Sequence, residues 1–208
     1  KKMEAIKFRT LTLDEEIGKF LCKFETYVRV KLPYDYSARS RIVAGFIADE
    51  MVAGYMLVTK QGFRSLMFVP DKVKNEHEFF KNDQYEMMEV NGFWISPRLK
   101  TAADRYQVWM NLIWDTFMAK KQYVLMMSDL RNENAKHLYS LTGTQLLYEG
   151  PSMLMSGAKT HAGIRLSYTR RWQLLLNIPK YWLEYKSRER RFNKKLKERS
   201  FSRMAKVG

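Results

Sequence analysis

The sequence predicts a mixed α/β protein in which a central, mostly antiparallel sheet is flanked by helices and followed by a basic helical tail. Three observations support this fold class. Short apolar runs of strand length alternate with polar turns in the first half of the chain. A strand–helix–strand–helix succession fills the middle, and Lys and Arg dominate from Arg170 onward. We therefore expect one domain over residues 1–169 and an amphipathic basic tail over residues 170–208.

The amino-acid composition limits the classes of protein to which this chain can belong. The 208 residues carry a net charge of +15, and from Arg170 onward thirteen Lys and Arg face only three Asp and Glu. The chain has no stretch near the ~20 apolar residues that a membrane span needs, and its start lacks the apolar run of a signal peptide. Cys22 is the single cysteine, which excludes an internal disulfide. We expect a cytoplasmic protein without a metal site, with Cys22 packed into the core.

The first half of the chain predicts four strands and one main helix. A helix over Asp14–Tyr27 begins at Thr12 or Asp14, and Arg29–Arg41 forms a loop or a short second helix. The polar segment Asp71–Gln84 is predicted to be a surface insertion with some helix, in which His77 is a solvated histidine rather than a catalytic base. The predicted strands are Ile6–Leu11, Ile42–Ala48, Met51–Thr59 and Phe63–Val69, with a tight turn at Asp49-Glu50 between the second and third.

The second half predicts strands alternating with helices. A strand over Tyr85–Ile95 leads to a helix from Ala102 to about Lys121, whose apolar residues follow one stripe. The apolar strand Tyr123–Ser128 then enters a second helix, for which Ser128 and Asp129 are good N-cap residues. The remaining predicted strands are Gln145–Glu149, Met153–Met155 and Ala162–Thr169, the last two joined by a loop with Gly157, Lys159 and His161.

The second of these helices contains the most specific pattern in the chain. Its residues follow N-x-x-A-x-x-L-Y-x-x-x-G, with Asn132, Ala135, Leu138, Tyr139 and Gly143 at the defining positions. The Ala, Leu and Tyr share one helix face, and the Gly lies where a helix ends in a left-handed C-cap. This pattern resembles motif B of the GNAT (GCN5-related N-acyltransferase) superfamily. The resemblance extends over residues 42–168 and implies a GNAT-like fold with an acyl-thioester site.

The strand Tyr85–Ile95 carries two further features. Glu86 and Glu89 lie at odd and even positions, so only one of them can face a cleft. Asn91-Gly92 in mid-strand is compatible with a hairpin turn or with a bulge. The apolar flanks favour the bulge, which suits the resemblance, since GNAT sheets splay at this strand and free backbone groups for the pantetheine arm.

The turn after this strand departs from the family pattern. GNAT motif A reads Q/R-x-x-G-x-G/A, and its glycine amides hold the coenzyme A pyrophosphate at a helix N-terminus. Here Arg98 and Ala103 match, but Thr101 replaces the central Gly. Arg98, Lys100 and Arg105 still surround the helix start with positive charge, so we expect a site for one phosphate rather than a pyrophosphate.

This departure is similar to two GNAT-like families, the long-chain N-acyl amino acid synthases and the acyl-homoserine lactone synthases. Both take acyl chains from acyl carrier protein, whose prosthetic group has one phosphate and no adenosine diphosphate. The aromatic and acidic N-terminal pattern of the lactone synthases is absent, which disfavours that branch. Thirteen Met, several of them on predicted strands, are compatible with a lipid substrate as well as with an ordinary core.

The resemblance implies an N-acyltransferase that moves a long acyl chain from acyl carrier protein to the amine of an amino acid or a similar small acceptor. Glu89 would take the proton of the acceptor amine and Tyr139 would protonate the departing thiolate. Backbone amides near Phe93 and Trp94 would stabilise the oxyanion. The residues implied in donor binding are Phe93, Trp94, Ile95, Arg98, Lys100, Thr101, Ala103, Arg105 and Asn132.

Two other functions remain open from the sequence. The first is an acetyl-coenzyme A-dependent acetyltransferase acting on an amine or a protein lysine. The second is a basic module that binds nucleic acid, which only the charge supports. The tail itself has two interpretations: an amphipathic segment around Trp172 and Trp182 that docks an anionic membrane from the cytoplasmic side, or a helix packed on the domain. Pro179 is expected to break it once.

Overall fold

The computed structural model describes residues 5–153 and 163–204 and contains one seven-stranded sheet. The order of the strands across the sheet is β1-β2-β3-β4-β5-β7-β6. The strands are β1 (Lys7–Thr10), β2 (Arg41–Ile47), β3 (Glu50–Val58), β4 (Met87–Ile95), β5 (Tyr123–Asp129), β6 (Gln145–Gly150) and β7 (Ile164–Arg170). The helices are α1 (Asp14–Val28), α2 (Tyr34–Ala38), α3 (Arg64–Met67), α4 (Asp71–Glu76), α5 (Ala102–Met118), α6 (Glu133–Ser140), α7 (Arg171–Leu176) and α8 (Ile178–Met204).

The sheet is mostly antiparallel, as the sequence predicts. The strands β1 to β4 form an antiparallel meander, and β5, β7 and β6 pair antiparallel at the other side. The single parallel pair among the described strands joins β4 to β5, with α5 as the crossover between them. This pair lies in the middle of the sheet and separates its two antiparallel halves. The predicted fold class is confirmed.

Each face of the sheet is covered by its own apolar layer. On one face, α1 and α2 contribute Phe20, Phe24 and Tyr36 to a core that includes Met87 of β4. On the other face, α5 and α8 contribute residues such as Trp109 and Tyr181 to a core that includes the next β4 residue, Met88. Alternate residues of a strand point to opposite faces, so β4 serves both layers. Burial of apolar surface on both faces stabilises the central strands.

One predicted strand is wrong. The predicted strand Phe63–Val69 instead contains the short helix α3 (Arg64–Met67). Both edges of β3 are already paired, with β2 and β4, so no free central edge accepts this segment. Phe63 and Val69 are nevertheless buried, at 1% exposure each, which explains why the segment is as apolar as a strand. The polar insertion that follows contains α4 and two 3₁₀ turns, with His77 exposed.

Helix α1 differs from the prediction at its start and at Cys22. Its N-cap is Leu13, without a side-chain hydrogen bond, so neither Thr12 nor Asp14 caps it. Cys22 is exposed, which corrects the expectation that it packs in the core. The buried face of α1 carries Phe20 and Phe24. Cys22 lies two residues from each, about 200° around the helix, and so faces solvent.

The C-terminal segment is helical and its first turns pack on the domain. The break between α7 and α8 falls at Asn177, and Pro179 occupies the first turn of α8, where a missing N–H costs no helical hydrogen bond. Tyr181 is 2% exposed and its ring lies 5.8 Å from that of Trp109 on α5.

Met153 is outside any strand. The rest of the predicted strand Met153–Met155 and the loop with Gly157, Lys159 and His161 lie outside the described residues.

Candidate acyl-transfer site between two diverging strands

The candidate site is a cleft that opens where β4 and β5 separate. The two strands pair in parallel from Met87 and Tyr123 to Val90 and Met126, and no pairing follows. Beyond that point β5 remains paired with β7 and β4 remains paired with β3. The gap leaves unpaired backbone edges facing each other across an open cleft of about 830 Å³. A flexible ligand arm can pair with such edges in place of a strand.

A bulge in β4 produces the divergence. The register with β3 shifts between Gly54, opposite Trp94, and Met56, opposite Asn91, so β4 has one residue more than β3 over this step. Gly92 adopts a left-handed φ of +61°, and its N–H donates to Asn91 Oδ1 at 2.7 Å. The bulge alternative for Asn91-Gly92 is confirmed over the hairpin.

The cleft has two walls, one on each face of the sheet. The wall on the α6 side is formed by Ser128 and Tyr139 together with Val90 and Phe93. The wall on the α1 side is formed by the C-terminal end of α1 with Asn91 of β4. A ligand in the cleft therefore passes between the two faces of the sheet.

Tyr139 lies on the wall of the cleft. Asn132 caps α6, its Oδ1 accepting the Ala135 N–H at 3.0 Å, so Ser128 and Asp129 remain in β5 and do not cap the helix. The cap fixes the start of α6, and Ala135 and Tyr139, one turn apart, both line the cleft. Burial raises the pKa of the Tyr139 phenol to about 12. The phenol therefore stays protonated at neutral pH and can act as a proton donor.

Glu89 is not exposed to the cleft. Its carboxylate is fully buried on the α1 side of the sheet and accepts the Ser65 N–H at 3.3 Å and the Asn91 Nδ2–H at 3.0 Å. Burial raises the pKa of Glu89 above its usual range, although these hydrogen bonds oppose the rise. Asn91, which does line the cleft, lies between Glu89 and the cleft space. Glu86 is exposed in the turn before β4.

Tyr36 completes a buried polar group around Glu89. Its hydroxyl accepts a second hydrogen bond from Asn91 Nδ2, at 3.1 Å. Burial and the nearby Glu89 carboxylate raise the pKa of the Tyr36 phenol. The Asn91 side chain therefore connects the cleft to two protonatable groups, neither of which lines the cleft.

The three predicted β4 residues after the bulge have different surroundings. Phe93 lines the cleft, whereas the Trp94 ring is 2% exposed and stacks on Tyr27 of α1 at 5.3 Å. The Ser96 N–H donates to the Val52 carbonyl of β3. In an antiparallel pair, every second residue of a strand directs its N–H to the same neighbouring strand. The Trp94 N–H therefore points to β3, and the Ile95 N–H points to the opposite, unpaired edge. Ile95 thus offers an amide at the open edge of β4, and Trp94 does not.

The predicted phosphate site at the start of α5 is partly occupied by the protein itself. Thr101 is the N-cap, and its Oγ1 accepts the Asp104 N–H at 3.0 Å. Asp104 also places a carboxylate in the first turn, which opposes a bound anion. Arg98 forms an ion pair with Glu50, and Arg105 Nε donates to the Leu99 carbonyl at 2.9 Å.

Two further predicted phosphate ligands lie on the surface beside this helix start. Lys100 and Ala103 are both exposed. The open anion-binding groups there are the Ala102 and Ala103 amides, the Lys100 ammonium and the terminal N–H groups of Arg105, whose bond to Leu99 uses only Nε.

Ser128 is a cleft residue that sequence reasoning missed as such. It is 9% exposed, lines the cleft on the Tyr139 side, and its Oγ has no hydrogen-bond partner among the described residues. Buried hydroxyls are normally hydrogen-bonded. Because this Oγ is itself buried, a rotation of the Ser128 side chain is needed to present it to a ligand in the cleft. The sequence shows Ser128 as the end of an apolar strand, where an N-cap role has the same signature.

Within residues 5–153 and 163–204, no helix is long and apolar enough to cross a membrane. The same residues contain no group of three or more His, Cys, Asp or Glu that could hold a metal ion.

The fold is similar to those of several solved acetyltransferases. An acetyltransferase of the GNAT family from Elizabethkingia anophelis, with acetyl-CoA bound, matches at a TM-score of 0.55 and 12% identity, over 82% of this chain and 99% of that one. The ribosomal-protein-S18-alanine N-acetyltransferase from Escherichia coli matches at a TM-score of 0.56 and 8% identity, over 79% of this chain and 93% of that one. The IAA acetyltransferase from Bacillus cereus matches at a TM-score of 0.56 and 8% identity, over 80% of this chain and 99% of that one. Comparison with protein-family models and with curated protein sequences finds no match.

These similarities define the class of fold. The chain has the fold of these GNAT acetyltransferases. At identities of 8–12% the similarity concerns the fold alone.

Proposed function

We propose that this protein is an N-acyltransferase that transfers an acyl group from a phosphopantetheine thioester to an amine. The observation that carries the proposal is the cleft between β4 and β5, with a protonated phenol on one wall and a buried carboxylate behind the other. The thioester lies in the gap, where the free edge of β4 pairs with its arm. The acceptor amine approaches from the α1 side.

The chemistry needs one base and one acid on opposite sides of the thioester. The neutral amine attacks the thioester carbonyl carbon, and an N–C bond forms as the C–S bond breaks. The amine proton passes to Glu89 through water beside Asn91, since the carboxylate does not itself reach the cleft. The thiolate leaves toward Tyr139, which donates its phenolic proton. A rotation of the Ser128 side chain would bring its Oγ to the donor arm as a hydrogen-bond partner.

Acetyl-CoA is the first donor to test, because solved proteins with this fold are described as complexes with acetyl-CoA or CoA. A long-chain acyl carrier protein remains a second candidate on one specific observation. Thr101 takes up an amide at the start of α5 that a pyrophosphate would need, and Arg98 is paired with Glu50. A donor with a single phosphate depends less on that helix start. The acceptor we propose is a small amine such as an amino acid.

The test is a transfer assay with purified protein, offering acetyl-CoA and a long-chain acyl carrier protein against a panel of amino acids and polyamines. Free thiol release is followed together with mass spectrometry of the acylated amine. Amine-dependent thiol release that is lost in a Tyr139→Phe, Glu89→Gln double variant supports the function. Thiol release without an acylated amine, or unchanged in the double variant, contradicts it.

A further inference from the structure

We propose that a second site, a basin between α6 and α8, binds a phosphate of the thioester donor. The basin is defined by Asn134, His137, Glu184, Arg188 and Arg191 and has a volume of about 500 Å³. This assignment rests on the proposed function, because it takes the donor thioester to lie in the β4–β5 cleft. It adds anion-binding groups on α8 to those at the start of α5.

Shared lining residues connect the cleft to the basin. Phe93 lines both the cleft and a narrow apolar groove of about 80 Å³ between α5, α6 and α8. Glu184 and Arg188 line both the groove and the basin. An extended arm with its thioester beside Tyr139 can therefore follow Phe93 and end at Arg188. Arg105, at the start of α5, also lines the groove and adds a positive charge along it. The remaining groove residues are aromatic and aliphatic, as suits the apolar parts of an arm: Ile95, Ala102, Tyr106, Trp109, Leu138, Leu141, Tyr181 and Tyr185.

The basin carries an excess of positive charge. Glu184 is its single carboxylate and faces two arginines: Arg188 Nε donates to it at 2.6 Å, and Arg191 Nη2 lies at 3.6 Å. Only the Nε of Arg188 is used in its hydrogen bond, so its terminal N–H groups remain available to phosphate oxygens. His137 Nε2 contacts the other Glu184 oxygen at 3.3 Å.

Glu184 acts as a positioning residue for these cations. Burial acts to raise the pKa of Glu184, but hydrogen bonds from Arg188 and His137 outweigh it and hold the pKa below its usual range. The carboxylate therefore stays ionised at neutral pH and keeps both arginine side chains at the basin. Without it the two guanidinium groups would lose the contact that orders them.

The α8 wall is fixed on the domain next to the basin. The rings of Tyr106 and Tyr185 stack at 4.8 Å, and buried Tyr181 packs on Trp109. These contacts hold the part of α8 that precedes Arg188 against α5. The arginines thus project from an anchored helix, and an anchored charge loses less entropy on binding than a free side chain.

The experiment compares a charge-matched set of α8 variants in direct binding. Isothermal titration calorimetry measures the Kd of each variant for CoA, dephospho-CoA, pantetheine and a phosphopantetheinylated acyl carrier protein. The variants are an Arg188→Gln, Arg191→Gln double variant and, as control, Arg190→Gln doubled with Lys180→Gln, which removes equal charge from α8 outside the basin. Circular dichroism checks that each variant keeps its fold.

We expect the basin variant to raise the Kd of at least one phosphate-bearing donor by about 10-fold or more, since hydrogen bonds to charged groups are strong. Pantetheine, which has no phosphate, should bind all variants equally. A loss for CoA that is absent for dephospho-CoA assigns the 3′-phosphate. A loss confined to the carrier protein assigns the phosphate of its prosthetic group.

Two results would overturn the assignment: unchanged Kd values for both CoA and the carrier protein in the basin variant, or an equal loss in the control. The second result would mean that diffuse charge on α8 attracts the donor. Neither result affects the proposed function, which is decided by amine-dependent thiol release at saturating donor.

Discussion

At the scale of single residues, Tyr139 is the group whose loss should affect chemistry most directly. Replacing it with Phe removes the phenolic proton donor but keeps the ring on the cleft wall and against its apolar cluster. We expect kcat to fall on the order of 10²-fold with little change in donor affinity. Steady-state kinetics with donor titration measures both. Tyr85→Phe, at a 67% exposed tyrosine, is the control and should keep wild-type turnover; a wild-type kcat in Tyr139→Phe would remove this residue from the mechanism.

Glu89 makes a prediction about pH and stability. Its native pKa is raised by burial, so the folded state binds its proton more tightly than the unfolded state does. The contribution of Glu89 to the free energy of unfolding should be greatest below the unfolded carboxyl pKa, about 4.3, and should be lost as pH rises through the raised native pKa. Urea unfolding of wild type and Glu89→Gln across this range measures the difference, which should grow in favour of the variant with rising pH.

The same protonation should shape activity, because only ionised Glu89 accepts a proton. In wild type, kcat should rise with pH along a limb above the ordinary carboxyl range. A stability difference independent of pH, together with a kcat limb at the ordinary carboxyl pKa, would contradict this account of Glu89.

Residue patterns predicted part of the site and could not predict the rest. Tyr139 and Asn132 became candidates through the resemblance to motif B, and helical spacing added that Tyr139 shares a face with Ala135 and Leu138. Glu89 was identified as the inward-facing carboxylate, but its separation from the cleft by Asn91 depends on the bulge geometry, which spacing does not encode. Ser128 was missed because an unpartnered hydroxyl is a property of three-dimensional packing.

At the scale of elements, the β4 bulge depends on Gly92. A Cβ there would lie 2.8 Å from Met56 Sδ and 3.3 Å from Phe20 Cζ, at a φ of +61°. We expect Gly92→Ala to lower the free energy of unfolding by at least about 1–2 kcal/mol, the cost of the left-handed conformation alone, and to reduce donor binding. Gly18→Ala is the matched control, because α1 has open space at Gly18. It should stabilise by about 0.5–1 kcal/mol. Chemical denaturation measures the free energy of unfolding of both variants. A Gly92→Ala variant as stable as wild type would be incompatible with the bulge.

The docking of α8 gives a second element-scale prediction. Tyr181→Ala should cost about 3–5 kcal/mol of unfolding free energy, as for large buried aromatic side chains, because its ring is 2% exposed against α5. Leu183→Ala, on the same helix but 68% exposed, should change it little. Thermal and urea unfolding compare the two variants. Equal small effects would mean that α8 does not pack on the domain in solution.

Helices and strands could be predicted from the sequence where the local hydrophobic pattern agreed with the pairing of strands in the sheet. The run from Phe63 to Val69 was mistaken for a strand because burial, not pairing, makes it apolar. Its helical turn α3 presents the Ser65 N–H to Glu89, a contact between segments far apart in the chain. A local pattern contains no information on such a contact, and all sheet edges near it were already used.

At the scale of the whole molecule, the net charge of +15 should accelerate encounters with acidic macromolecules. If a carrier protein is the donor, its kcat/KM should fall several-fold between low and physiological salt, since acyl carrier protein is acidic and exposed charges are screened. The kcat/KM for a small neutral thioester such as an acyl-pantetheine should barely change. Initial rates across a salt series compare the two donors, and identical salt slopes would exclude electrostatic steering of the carrier.

Cys22 has a practical consequence that follows from its position on the outer face of α1. It is the single thiol of the chain and is exposed, so a maleimide reagent can label the protein at one defined place without mutagenesis. Helix α1 also supplies Phe24 and Val28 to the cleft wall. A fluorophore at Cys22 therefore reports from the back of that wall, and its emission can follow, in stopped flow, the order in which donor and acceptor enter the protein.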